Sequence, residues 1–402
     1  MPVWHEGTQR WRENEDLVVI GITQEQHPDR CQLFAQWQGI DWPILWDPLN
    51  LTETNLVPSL IAVDEYGVIR GSRWASIEQF EKDFMYAGFE EPGQPSVNQA
   101  PTNRVALHAD VEKSSHPEAD LRAAYAQILW GEESQLDDVI ETLEAHVDGD
   151  TPPGNLLFRT GVAYRLRYDS ALSQPGDFQT SLNYWARALA ADPNQYIWRR
   201  RIQQYGPRLD KPYPFYNWVE RAREDLIAAE AVPITVRVPL TGAEVASPTN
   251  VLPEHAQVDK APDPKREITV DETLVALETA TAIHTGNAGA RVRTRPTARV
   301  HLALRPNVAK DVHWSNEAGA TVVWISIPKG WMIESSLYAL DVPETAETNE
   351  VRRLDFEVVP PEEMDEAAYL RGYALYYVCE GASGECVYRR QDFVIPLAPD
   401  VE

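Results

Sequence analysis

The 402-residue sequence predicts a multidomain protein in which an α/β segment, an α-helical module and an all-β region follow one another. Three observations carry that prediction. Near the N-terminus apolar runs alternate with helical patterns, then give way to sustained helical periodicity and finally to a series of short strand-like runs. Two polar stretches rich in Pro and Ser separate these blocks. An apolar content of 43%, with 13 Trp, is enough for real cores in a chain of this length. The expected division is residues 1–89, a linker at 90–118, a helical module at 119–231, a second linker with a possible strand at 232–266, and a β-region at 267–402.

In the first block, MPVWHEGTQRWREN has an amphipathic helical pattern. Leu17 to Thr23 is a continuous apolar run, as expected of a strand buried on both faces. In HPDRCQLFAQWQG, Pro28 is placed to start a helix and Gly39 to end it. PILWD is a second strand, and PSLIAVDEYGVIRGSRW reads as a hairpin turning at Asp64-Glu65-Tyr66-Gly67. SIEQFEKDFMYAGF closes the block as an amphipathic helix.

In the helical block, Gly161 and Tyr164 fall three apart on one helix, and Ser181, Trp185, Ala188 and Pro193 follow on the next. The small residues Gly161 and Ala188 let two antiparallel helices approach, while Tyr164 and Trp185 fill the space between them. The run Arg199-Arg200-Arg201 can meet an acidic partner, but a solvated helix face accounts for it more simply. In the last block ARVHLALR, ATVVWISIP, VRRLDFEVV, GYALYYVC and CVYRRQDFVIPL are separated by turn-rich segments, the pattern of a two-sheet β-sandwich.

The net charge of −26 argues against nucleic acid as the main partner, because phosphate binding needs concentrated Lys and Arg. No apolar run approaches the length of a membrane span, and no basic segment followed by an apolar core marks a signal peptide. Nine His without HxxxH or HExxH spacing, and the lack of a glycine-rich phosphate loop or GxSxG turn, predict no metal site and no cofactor.

Three cysteines are too few for a disulfide-built scaffold, but their placement is informative. Cys31 lies near a helix start, where the dipole can lower a thiol pKa, yet no partner Cys is near in sequence, so a structural thiol is expected. Cys379 and Cys386 flank a Gly-containing turn, so the two arms can pair and bring the sulfurs together.

VVIGIT, WPILWD and above all Val57-Pro58-Ser59-Leu60-Ile61-Ala62-Val63-Asp64-Glu65-Tyr66-Gly67-Val68-Ile69 resemble the thioredoxin-like fold of the bacterial TlpA/ResA and redoxin group. The resemblance implies that Val57 and Pro58 dock a substrate strand, with Pro58 cis; without it, Pro58 merely begins an edge strand. It further implies that MPVWHEGTQRWREN is the second half of the redox helix, with Pro2 at its kink and the family's Cys-x-x-Cys upstream of Met1. The chain contains no Cys-x-x-Cys. A start placed too late and a degenerate domain both fit; either way the strand at Leu17 is expected to keep an open edge, and the 402-residue chain to reduce insulin poorly.

The helical block resembles a single tetratricopeptide repeat with a lengthened turn, which implies a protein-docking surface. The C-terminal block, including HWSNEAGATVVWISIPKGW and the cysteine pair, resembles the immunoglobulin-like N-terminal domain of DsbD-type electron conductors. That implies a Cys379/Cys386 redox pair, although six residues intervene, one more than in the family pattern. A disulfide that only staples a hairpin is the alternative. The expected function is thiol–disulfide exchange with protein thiols and disulfides in a periplasmic or other extracytoplasmic compartment. The competing expectation is a non-catalytic scaffold that binds other proteins.

Overall fold

The computed structural model describes residues 2–72, 74–91, 119–149, 151–249, 260–262, 274–284, 296–361, 368–381 and 386–397. Of the expected linkers, residues 92–118, 250–259 and 263–266 therefore lie outside the described residues. The chain forms two compact units: Met1–Leu172 with Tyr184–Arg199 and Val219–Val238, and Ser173–Asn183 with Arg200–Trp218 and Pro239–Glu402.

The first unit opens with helix α1 (Pro2–Glu13). Strand β1 (Gly21–Thr23), helix α2 (Pro28–Trp37) and strand β2 (Ile44–Trp46) follow as a parallel pair joined by a helical crossover. Pro28 sits in the first turn of α2, and Gly39 just beyond it takes φ +62°. Strands β3 (Ala62–Val63) and β4 (Ile69–Gly71) form the expected hairpin. Asp64 holds its turn by accepting from the backbone N–H groups of Tyr66 and Val68 at 2.9 and 2.8 Å, and Gly67 supplies the positive φ. Helix α3 (Ile77–Phe80), capped by Ser76, presents Phe80 to an aromatic cluster with Trp4, Trp11 and Trp74 at centroid distances of 5.6, 5.9 and 5.1 Å. That cluster, with Ala62 and Phe84, fixes α1 and the hairpin to one core.

The run Leu17–Thr23 departs from expectation. Only Gly21–Thr23 pairs, on one side, and Val18, Ile20 and Ile22 are 79%, 54% and 52% exposed. An apolar parallel strand is buried on both faces only where layers cover both and neighbours flank it. Here β2 is its one strand partner among the described residues, and alternate side chains face outward.

Six further described helices belong wholly or partly to this unit: α4 (Ala119–Trp130), α5 (Leu136–Val147), α6 (Gly154–Tyr168), α7 (Asp177–Ala191), α8 (Tyr196–Gln203) and α9 (Val219–Ala228). Helix α5 buries Leu136, Val139, Ile140, Leu143 and Val147, one helical stripe. The Trp185 indole donates to the Phe158 carbonyl at 3.2 Å, Ala188 is fully buried, and the Tyr164 and Tyr184 rings stack at 5.7 Å. The α/β segment is tied to these helices through polar groups: Arg159 donates to the Leu49 carbonyl at 3.2 Å, and His27 meets Asp169 at 2.8 Å. Arg165 completes that buried cluster at 2.6 Å from Asp169. Burial alone would raise the Asp169 carboxyl, but Arg165 and His27 outweigh it and hold it below the ordinary carboxylate range.

The second unit contains the short helix α10 (Gly242–Val245) and two antiparallel sheets. One is ordered β5 (Val275–His284), β6 (Thr297–Pro306), β12 (Arg352–Val359), β9 (Met332–Ile333). The other is ordered β10 (Leu337–Ala339), β8 (Val322–Ser326), β13 (Tyr369–Glu380), β7 (Val312–Ser315), β11 (Glu347–Thr348), with β14 (Cys386–Pro396) also on β13. Val300, Leu302, Leu304, Phe356 and Val358 of the first sheet share one core with Trp314, Val323, Ile325, Ala374, Tyr376 and Val378 of the second. Two-residue alternation decides which side chains enter it. At Gly372 an added Cβ would lie 2.4 Å from the Trp324 carbonyl oxygen and 2.5 Å from the Phe393 ring, so only glycine fits there.

Candidate functional site

The site follows from the register of β13. Leu370, Ala374, Tyr376 and Val378 face the core, so Tyr373, Tyr377 and Cys379 project from the opposite face. Strand β14 pairs with β13 from Tyr369↔Pro396 to Cys379↔Cys386. The two cysteines are thus directly opposite on the outward face, and they form a disulfide with Cα atoms 4.0 Å apart. Of the turn between them, residues 382–385 lie outside the described residues. Cys386 is exposed whereas Cys379 is 3% exposed, so the two residues of the bridge differ in burial. The next rung on this face is Tyr377 opposite Tyr388, with ring centroids 4.8 Å apart.

On its other edge this end of β13 pairs with β7, in the register Cys379↔His313. Cys386, Cys379 and His313 therefore form one row across three strands. The His313 Nδ1 lies 3.3 Å from the Asp311 carbonyl oxygen, and its Nε2 lies 3.5 Å from Glu347 Oε2. A cleft of about 250 Å³ at this end of the unit is lined by residues including Val312, Val378, Cys379, Glu380 and Arg389.

Of the remaining sequence candidates, Val57, Pro58, Cys31 and Arg199 belong to the first unit, and Arg200 and Arg201 to the second. Val57 and Pro58 are exposed in a bend between β2 and β3, outside any strand, and their peptide bond is cis. Cys31 lies in the first turn of α2; burial pushes its thiol up, a hydrogen bond with Thr23 opposes this, and Glu25 adds to it. The Arg199–Arg201 run is not one solvated face: Arg199 is exposed but Arg201 is 3% exposed. Successive helical residues are rotated by about 100°, so three in a row cannot share an outward face.

Sequence reasoning missed an ionic cluster on the β6–β12 pair. Arg299 is opposite Glu357 and His301 is opposite Asp355, each pair at 2.9 Å and buried. All four lie on the face away from the core, where the Phe178 ring meets that of His301 at a tilt, centroids 4.5 Å apart, and the Ala243 N–H donates to Asp355 at 3.0 Å. Lys211 is buried beside them and donates to the Ala243 carbonyl. The signal was present: ARVHLALR and LDFEVV each carry charged or ionisable residues two apart, cationic in one strand and acidic in the other.

Among the described residues, no group of three or more His, Cys, Asp or Glu is placed to hold a metal ion. Nor is any described helix long and apolar enough to cross a membrane. No family model and no curated protein matches the chain.

Proposed function

We propose that the protein carries out thiol–disulfide exchange through Cys379 and Cys386. One observation carries the reading: a disulfide bridges two adjacent strands on the face turned away from the core, between one exposed cysteine and one buried one. That difference in burial sets the order of events. A thiolate of a protein dithiol attacks the Cys386 sulfur and forms a mixed disulfide, and Cys379 departs as a thiolate with the bonding electron pair. The second thiol of the incoming pair then attacks the mixed disulfide and releases Cys386, leaving the donor oxidised and the Cys379/Cys386 pair reduced.

Under this reading residues 267–402 are an immunoglobulin-like redox domain of the DsbD type, and residues 1–89 are thioredoxin-like, with Val57 and Pro58 docking a substrate strand. Residues 119–231 are a tetratricopeptide-like module that docks a protein partner. The compartment is oxidising and extracytoplasmic. The test is equilibration of the 402-residue protein with graded dithiol buffers, followed by alkylation and mass analysis. A potential above about −300 mV is expected for an exchanging pair, and a lower one marks a disulfide that only staples the hairpin.

A second reading, a non-catalytic scaffold, is favoured by Cys31, whose thiol burial makes less acidic, and by the lack of a Cys-x-x-Cys. It predicts that replacing Cys379 and Cys386 together by Ser leaves partner binding intact and partner thiols in the same redox state.

A further inference from the structure

We infer that the cleft between the two sheets at the cysteine end of the second unit binds a short linear aliphatic carboxylate, with Arg389 holding the carboxylate group. The register of β14 carries the argument. Among the described residues β14 pairs with β13 alone, and residues directly opposite in such a pair share a face. Val387 and Arg389 stand opposite Val378 and Tyr376, which face the core, so they too point between the sheets. Further along the same row Gln391, Phe393 and Ile395 are buried. Gln391 is satisfied there: its amide donates to the Val275 carbonyl at 3.3 Å and accepts from the Tyr376 hydroxyl at 2.9 Å. Arg389 is not. Its Nε is buried without a hydrogen-bond partner, and its guanidinium has no ion pair among the described residues. A guanidinium stays protonated, so it cannot escape the cost of burial by losing its charge. In a chain with 62 acidic against 36 basic residues, a core-facing cation left without a carboxylate is a vacancy for an anion from outside.

The cleft provides the room and sets the ligand's shape. It measures about 250 Å³, with Leu274, Val312, Val378 and Val387 as apolar walls and Arg389 and Glu380 as charged ones. Burial pushes the Tyr376 phenol up and the Arg389 charge opposes it, which places the guanidinium near that ring. Glu380 lies four residues beyond Tyr376 on β13, roughly 13 Å further towards the end of the strand, and the Val378–Val387 rung lies between. Glu380 is exposed, so water screens its charge. The order from inside to mouth is therefore cation, apolar walls, solvated carboxylate, and a ligand enters with its carboxylate first. At about 30 Å³ per heavy atom the cleft holds roughly eight, the size of hexanoate. Inorganic phosphate would leave the apolar walls uncovered, and an uncharged chain would leave Arg389 unpaired.

Calorimetric titration of the 402-residue protein with hexanoate, butanoate and hexanol tests the inference without reference to thiol exchange. Hexanoate is expected to saturate one site with a dissociation constant of about 1 mM, in the range open to so small a ligand. Butanoate, two methylenes shorter, should bind about tenfold more weakly. Hexanol, which lacks the charge, should bind at least tenfold more weakly than hexanoate. Arg389→Gln keeps a polar side chain and removes the cation, so it should weaken hexanoate at least tenfold and leave hexanol unchanged. The inference is overturned if hexanoate shows no saturation at about ten times the expected constant, if hexanol binds as tightly as hexanoate, or if the Gln variant binds hexanoate like the parent. The ligand series uses the parent protein, so it decides the question even where the variant folds poorly.

Discussion

Lys211 gives the second unit a pH-dependent stability that one substitution should abolish. The residue is 5% exposed, and its ammonium donates to the Ala243 carbonyl and lies 5.7 Å from the centroid of the Phe215 ring. Burial and the nearby Arg299 guanidinium push its pKa down from 10.5 to about 7, against the pull of Glu244, Asp355 and Glu357. In the unfolded chain the same group titrates at its ordinary value, so between pH 7 and 10.5 the unfolded state binds more protons. Stability therefore rises with pH across that window and is flat below it for this group. A gap of about 3.5 units corresponds to roughly 5 kcal/mol of penalty below pH 7. Between pH 6 and pH 9 about 3 kcal/mol of that penalty is relieved. Lys211→Met keeps the buried stem and removes the charge. Urea unfolding of parent and variant at pH 6, 7, 8 and 9 should show the parent gaining on the variant by about that amount. Taking the difference between the two proteins cancels titrations common to both. Parallel stability–pH curves would refute the argument and mean that Lys211 stays charged inside the fold.

Three further outcomes are expected. Asp355→Ala leaves His301 without its buried partner and should destabilise by about 3–5 kcal/mol in urea unfolding. In the parent, burial raises the Asp355 carboxyl, but His301, Arg299 and the Ala243 N–H outweigh it and hold it low; its contribution is present above the ordinary carboxylate range and lost as pH falls through the depressed folded value, which acid unfolding of parent and Asp355→Asn would follow. Gly372→Ala places a methyl against the Trp324 carbonyl and the Phe393 ring and should cost about 2–3 kcal/mol, whereas Gly88→Ala, which meets nothing within 4 Å, should cost far less; similar unfolding midpoints for the two would count against the close packing at β13. Alkylation of Cys31 by iodoacetamide at pH 7 should be at least tenfold slower in the native protein than in urea, because burial raises the thiol pKa and restricts access.

Local patterns were legible where the physics is local. Pro28 and Gly39 bound α2, Asp64 and Gly67 make the hairpin turn, and two-residue alternation assigns Val378 inward and Cys379 outward. The Cys379–Cys386 pairing also lay within one hairpin, so the sequence pointed to both halves of the candidate site that are neighbours along the chain. Its third member was not legible. His313 is remote from Cys379 in sequence, and only the strand order that inserts β13 between β14 and β7 makes them neighbours.

The same division holds elsewhere. Composition determined that the protein has cores, an acidic surface and three cysteines available for two separate roles. The apolar run Leu17–Thr23 looked buried because hydrophobicity records a preference for burial, but burial itself depends on which layers arrive to cover a strand. Arg299, His301, Asp355 and Glu357 were visible as charges in apolar strands, yet their compensation came from the antiparallel register of β6 and β12. Sequence periodicity determines which face a side chain takes. Tertiary structure decides what that face meets, because contacts between strands far apart in the chain are set by strand order and register, which no local pattern contains.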